Sequence, residues 1–309
     1  MAIYSVSSLF NIQLPFYKNA ELLSDPSFSD GFAVISKIAE NGIQQVEGNF
    51  TFNENSGTPS WCIAQWGKGP DLWTDRVKTV PFILTDGCCR KVEYFPEDNA
   101  LLLSIDGTGA YGGKAADTED FPHLLIEQSP FKINKENAEM FSCDSKHIVL
   151  TLDVKLNEYR ETTNPDGINA VQLLSYFYVR EKNGDGFIWF GINLFDDRGL
   201  QNEYWAIDTA GSNNMIYSLS TKETFGSAVS AKRFTKMNGG YSHIRLDFTP
   251  YIEKLIKKIN EEQTFGHNVC REDLYISGMN LGFELHGNAS CSATIKNLSL
   301  KSFRTDTNK

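Results

Sequence analysis

The sequence predicts an all-β protein: an antiparallel β-sandwich, of jelly-roll or concanavalin-like type, with one amphipathic helix near the C-terminus. Three observations lead there. Several segments alternate apolar and polar residues with a period of two, Phe and Tyr number 21 and 12 in 309 residues, and the many short strand-like segments show no βα alternation.

The clearest strand is IVLTLDVKLN, in which Ile148, Leu150, Leu152, Val154 and Leu156 share one face and Val149, Thr151, Asp153, Lys155 and Asn157 the other. The same alternation sets Met279, Leu281, Phe283 and Leu285 against Asn280, Gly282, Glu284 and His286, and recurs from Tyr241 to Phe248. AVQLLSYFYVR (Ala170 to Arg180) and FIWFGINLF (Phe187 to Phe195) are apolar on both faces and read as central strands. EKNGDG between them supplies a hairpin loop. Earlier strands are expected at Phe32 to Ile38, Val46 to Phe52, Trp61 to Trp66, Lys91 to Phe95, Leu101 to Ile105 and Leu124 to Glu127.

The helix is expected at Thr249 to Glu262, with Thr249 as N-cap and Pro250 in the first turn. Tyr251, Leu255, Ile256 and Ile259 make its apolar stripe. No Ser/Pro-rich linker divides the chain, and the Gly-rich GTGAYGG (Gly107 to Gly113) is a weak boundary after which strands resume. A single domain over 1–309 is expected, with an N-terminal arm to about residue 25 and a flexible tail from about residue 304.

A formal charge of −10 argues against nucleic acid or an anionic membrane as partner, since polyanions recruit Lys and Arg. No segment has the length and apolarity of a membrane span, and the first residues lack a secretory signal, so a cytoplasmic protein is expected, with non-classical export left open. Cys62, Cys88, Cys89, Cys143, Cys270 and Cys291 form no C-x-x-C pair and read as free thiols, with a strained Cys88–Cys89 disulfide as the alternative.

The candidate site comes from polar groups that share strand faces with aromatics. Alternation puts Trp189 with Asn193, Gln172 with Tyr176 and Tyr178, Asn280 with Glu284 and His286, and His123 with Glu127. Assembled on one sheet, these side chains suit a glycan: rings stack on the C–H face of a pyranose, while carboxylates and amides pair with its hydroxyls. Glu127 and Glu284 could alternatively serve as the acid and base of a glycoside hydrolase. A third reading is a structural or protein-interaction protein whose aromatic surface meets other proteins.

LFDDRG (Leu194 to Gly199) closes the Trp189 strand, and its Arg198 either rims the site or ties down the turn through an Asp. Structural calcium is a further expectation at Asp196 and Asp197, or near Asp166 and Asp185, although no complete D-x-D-x-D-G loop is present. No other metal and no cofactor are expected. Trp61, Trp66 and Trp73 are a further aromatic group, read as core anchors or as a platform. Nucleophile-elbow, P-loop and dinucleotide motifs do not occur.

With these residues in place, NLGFELHGNASCSATIKNLSL resembles the final strands of carbohydrate-binding modules and lectin-like jelly rolls. The likeness runs back through FIWFGINLF to HLLIEQ, over roughly the last three-fifths of the chain. The resemblance implies a β-sandwich with a glycan on the face that holds Trp189, Gln172 and Glu284.

Overall fold

Two sheets face each other across one apolar core in the computed structural model, which describes residues 17–37, 44–52, 57–114, 120–129, 145–161, 169–199, 201–209, 212–221 and 240–305. The first sheet runs, in spatial order, β15 (Ser242–Asp247), β10 (Ser145–Arg160), β17 (Ser290–Thr305), β8 (Ala100–Asp106), β7 (Arg90–Phe95), β6 (Ile83–Thr85) and β5 (Lys78–Val80). A further strand, β1 (Tyr17–Glu21), pairs with the C-terminal part of β17, so part of the expected N-terminal arm belongs to this sheet.

The second sheet runs β13 (Tyr204–Ile207), β14 (Met215–Ser218), β12 (Phe187–Asp196), β11 (Ala170–Glu181), β16 (Leu274–His286), β9 (His123–Gln128), β4 (Trp61–Ala64), β2 (Phe32–Ile35) and β3 (Val46–Phe50). Its β2–β4 and β12–β14 pairs are parallel; the other pairs of both sheets are antiparallel. The chain crosses repeatedly between the sheets, from β8 to β9, β9 to β10, β10 to β11, β15 to β16 and β16 to β17. This is the β-sandwich of jelly-roll type that the alternation predicts.

Period-two patterning sets the register. Ile148, Leu150, Leu152, Val154 and Leu156 are all buried in the inter-sheet core, as are Met279, Leu281, Phe283 and Leu285 and the row Ile188, Phe190, Ile192 and Leu194. Each such side chain is worth about 1.5–3 kcal/mol when buried, and a one-residue slip would turn a whole row to the other face.

The C-terminal helix, Thr249–Glu262, lies where it is expected, and its buried residues are Ile252, Leu255 and Ile259. Tyr251 and Ile256 are only partly buried against the core, so the stripe is rotated toward Ile252. Its cap also differs. Phe248 holds the N-cap position, and the Thr249 hydroxyl accepts the Ile148 amide of β10 at 3.0 Å while the Thr249 amide donates to Asp247 Oδ1 at 3.0 Å.

Two short helices add to the expected one. Gly107–Tyr111 forms one turn of α-helix inside GTGAYGG, because Asp106 accepts from the Thr108 and Gly109 amides at its start. Arg271–Asp273 forms a 3-10 turn. Cys62, Cys88, Cys89, Cys270 and Cys291 are free thiols, whereas Cys143, Asp166 and residues 1–16 and 306–309 lie outside the described residues.

Candidate functional site

The face of the second sheet that points away from the core carries the polar rows. Register places Asn280 of β16 between Glu127 of β9 and Tyr176 of β11, Gly282 between Leu125 and Leu174, and Glu284 between His123 and Gln172. On β12, Trp189 pairs with Tyr178 and Gly191 with Tyr176, and Asn193 follows on the same face. Ala64, Leu125, Leu174 and Tyr176 are packed together as a buried apolar floor, flanked by Trp66, Trp189 and Ile216. Gly191 and Gly282 leave the middle of this face without side chains. A Cβ on Gly191 would meet the Ser175 carbonyl oxygen at 2.1 Å, and one on Gly282 the Leu124 carbonyl oxygen at 2.2 Å.

Two walls convert the face into a groove of about 450 Å³. One is Trp66, Asp120 and Phe121, from the segments that follow β4 and precede β9; the other is Tyr204, Asp208, Ser212 and Ile216, from the β13–β14 hairpin. The hairpin is tied to the floor by hydrogen bonds. Trp189 Nε1 donates to Ser212 Oγ at 2.8 Å, and Ser212 Oγ donates to Asp208 Oδ2 at 2.9 Å. The Tyr176 hydroxyl lies 2.7 Å from Ser218 Oγ, 3.0 Å from Tyr204 Oη and 3.2 Å from Asn193 Oδ1. It has a single proton to give, so the other contacts must be ones in which it accepts or is not paired. Asn193 is 1% exposed, and its amide nitrogen has no hydrogen-bond partner among the described residues.

Burial, reinforced by the negative charge of Asp208, pushes the Glu284 carboxyl up to about 7. Burial holds His123 down at about 4. His123 Nδ1 is 3.0 Å from the Phe121 carbonyl, which places the proton of the neutral ring on Nδ1 and turns Nε2 toward Glu284 Oε1 at 3.7 Å. At neutral pH this contact is therefore not an ion pair.

The groove brings together Gln172, Tyr176, Trp189, Asn193, Asn280 and Glu284 of the residues expected from sequence. Glu127 lies elsewhere. It lines an adjoining recess with Cys62, Tyr178, Arg180 and Phe187, separated from the groove by Trp66, Trp189 and Ser212, which line both. Tyr178 donates to Glu127 Oε1 at 2.8 Å, and burial pushes this carboxyl up to about 7.

Since Glu127 pairs with Asn280, its backbone is four residues along the neighbouring strand from Glu284. At about 3.4 Å per residue their Cα atoms are roughly 14 Å apart, and Tyr178 draws Glu127 toward the end of β11 remote from Glu284. The structure does not oppose these two carboxylates across one cleft.

His286 and Arg198 also fall outside the groove lining. The His286 ring stacks on Phe121 at 3.5 Å between centroids and supports that wall from behind. Arg198 grips Asp196 with two bonds, Nε to Oδ1 at 2.9 Å and a terminal nitrogen to Oδ2 at 2.7 Å, and Gln172 Nε2 donates to the same Asp196 Oδ2 at 2.8 Å. LFDDRG is thus a tied-down turn that orients Gln172. Among the described residues no group of three or more His, Cys, Asp or Glu is placed to hold a metal ion.

Asp120, Phe121 and Ser212 join the site beyond the residues selected from sequence, and Trp66, read there as core anchor or platform, lines it as well. Of the three early tryptophans, Trp61 is a fully buried core residue, Trp73 packs against the core beneath Arg76, and only Trp66 reaches the groove. The aromatic and acidic content of the stretch from Tyr204 to Asp208 was the signal for the opposite wall.

No family model and no curated protein matches this chain. Among solved structures it is similar to a family 12 xyloglucanase from Bacillus licheniformis, with 9% identity and a TM-score of 0.43, covering 77% of this chain and all of that one. It is also similar to the xyloglucanase domain of NopAA, a type three effector from Sinorhizobium fredii in complex with cellobiose. That match has 9% identity and a TM-score of 0.39, covering 80% of this chain and 94% of the other. A family 11 xylanase from Neocallimastix patriciarum matches with 11% identity and a TM-score of 0.35, over 78% of this chain and 99% of the other. Likeness at these scores bears on neither activity nor ligand, which rest on the groove itself.

Proposed function

We propose that the protein binds a carbohydrate in the groove of its second sheet. The observation that carries this reading is the Asn193 amide: a buried donor without a partner among the described residues, set in a groove that Trp66 and Trp189 line. A buried unpaired N–H costs about 1–3 kcal/mol, a penalty that an incoming hydroxyl or ring oxygen would remove. The surrounding groups match a pyranose in kind, with indoles for its C–H face and Gln172, Asn280 and Glu284 for its hydroxyls. The groove volume falls in the range of small-molecule sites. Calorimetric titration against a panel of mono- and oligosaccharides tests the reading, with Trp189→Ala as control. Binding of a sugar that weakens in the variant is expected, and silence across the panel would refute it.

A second reading, hydrolysis of a glycosidic bond, draws support from Glu284. A carboxyl that titrates near 7 retains a proton at neutral pH, as a general acid must. Its partner carboxylate would be Asp208, which shares the groove, in place of Glu127. A reducing-end assay on any oligosaccharide that binds distinguishes the readings: turnover abolished by Glu284→Gln favours an enzyme, and tight binding without turnover favours a lectin-like protein.

A further inference from the structure

The groove is unevenly charged. Its described lining includes three carboxylates, Asp120, Asp208 and Glu284, and no Lys or Arg. Asp120 is matched by Lys68 at 3.4 Å. The other two face no cation among the groove-lining residues described. Asp208 Oδ2 accepts from the Ser212 amide and hydroxyl at 2.8 and 2.9 Å, and the imidazole beside Glu284 is neutral. The Arg198 guanidinium is held by Asp196. Asp208 acts on Glu284 strongly enough to help raise its carboxyl, so the two share one region of negative potential.

A second ionised carboxyl beside Asp208 is unfavourable in the free protein, which helps Glu284 hold its proton up to about pH 7, and a ligand that supplied a positive charge would let Glu284 ionise on binding. The same groove offers the unpartnered Asn193 donor for a sugar oxygen. Two tryptophans line the same groove, and an indole face attracts a cation as well as C–H groups.

We infer that the sugar taken by this groove is an amino sugar, its ammonium group held by the Asp208 and Glu284 carboxylates while Asn193 donates to a sugar oxygen. The inference rests on the sugar-binding reading and narrows it to glycosamines. Uronic acids and sulfated sugars are excluded, because each would set an anion against carboxylates that already lack a partner.

The test is an NMR or calorimetric titration of the whole chain with monosaccharides matched except at the second carbon: glucosamine against glucose, and galactosamine against galactose. The N-acetylated forms and glucuronic acid complete the set. In at least one pair the amine is expected to bind about tenfold more tightly than the hydroxyl, the size of one charge-assisted hydrogen bond. N-acetylation, which removes the charge, should erase that advantage, and glucuronic acid should not compete. Asp208→Asn and Glu284→Gln should each bring the amine-to-hydroxyl affinity ratio toward one. Equal binding of amine and hydroxyl sugars, an advantage that survives N-acetylation, or a ratio unmoved by both substitutions overturns the inference and leaves the sugar-binding reading standing. Absence of binding to every sugar overturns both. The N-acetyl comparison uses the wild-type protein, so it decides the question even where a variant fails to fold.

Discussion

The Arg90 guanidinium, only 1% exposed, donates to the backbone carbonyl of Trp66 at 3.0 Å. It also donates to the carbonyls of Lys68 at 2.7 Å, Pro70 at 3.0 Å and His123 at 2.7 Å. A side chain of the first sheet therefore anchors one wall of the groove on the second. Arg90→Met should destabilise the fold by at least about 3 kcal/mol, because several buried carbonyls lose their donor, and should weaken sugar binding by releasing Trp66. Urea unfolding and calorimetry measure the two effects. Unchanged affinity in a folded Arg90→Met protein would show that Trp66 is held by other contacts.

Asn193 separates stability from binding. Replacing a residue this buried with Ala normally costs the protein stability, but here it also deletes an unpartnered donor. Asn193→Ala should change the unfolding free energy of the ligand-free protein by less than about 1 kcal/mol while lowering sugar affinity about tenfold. A large loss of stability with intact binding would contradict both expectations.

Trp189 performs two tasks that substitution can separate. Its ring lines the groove, and its indole N–H holds Ser212. Trp189→Phe keeps a stacking surface but loses the hydrogen bond, and so should retain part of the affinity. Trp189→Ala should lose about 1 kcal/mol or more of binding energy. Equal affinities for the two variants would assign the whole contribution to the Ser212 bond.

The carboxyls of buried Glu127 and half-buried Glu284 make stability depend on pH. Glu127 and Glu284 are raised from 4.5 to about 7 in the folded chain, so the stability they give is complete below pH 4.5 and lost as the pH rises toward 7. His123 and His286, lowered from 6.5 to about 4, act oppositely: their contribution is present above pH 6.5 and lost as the pH falls through 4. The two effects oppose each other between these limits, so one substitution must isolate one group. Glu127→Gln keeps an oxygen for Tyr178 and should be more stable than wild type above pH 7, by on the order of 2–3 kcal/mol, with no gain below pH 4.5. Denaturant midpoints at pH 4 and pH 8 provide the comparison; a gain independent of pH would rule out the titration of Glu127 as its source.

Alternation made the groove face legible because each strand shows its two faces without reference to its neighbours. Trp189 with Asn193, and Asn280 with Glu284, could be read from single segments for that reason. Lateral order is not local. Tyr176 and Asn280 meet across strands 104 residues apart in sequence, and only their register shows that Glu127 stands four residues from Glu284. The walls were less legible still. Trp66, Asp120 and Asp208 lie on connections and strand ends, where contacts such as Tyr176 to Tyr204 and Arg90 to Trp66 decide which side chains face inward. The turn of helix at Gly107–Tyr111 was hidden by its glycines, which disfavour helix everywhere except beside a strong cap such as Asp106.

Gly191 and Gly282 constrain how this site can diversify. Both lie on the groove-bearing face of the second sheet, and at both the first atom a Cβ would meet is a backbone carbonyl oxygen of an adjacent strand. At these two positions no side chain can be added without parting the strands, so the bare centre of the face is inherited along with the fold. Descendants that acquire a new ligand would keep these two positions bare and exchange residues around them, as at Trp66, Asp120, Asp208 or Ser212 of the walls.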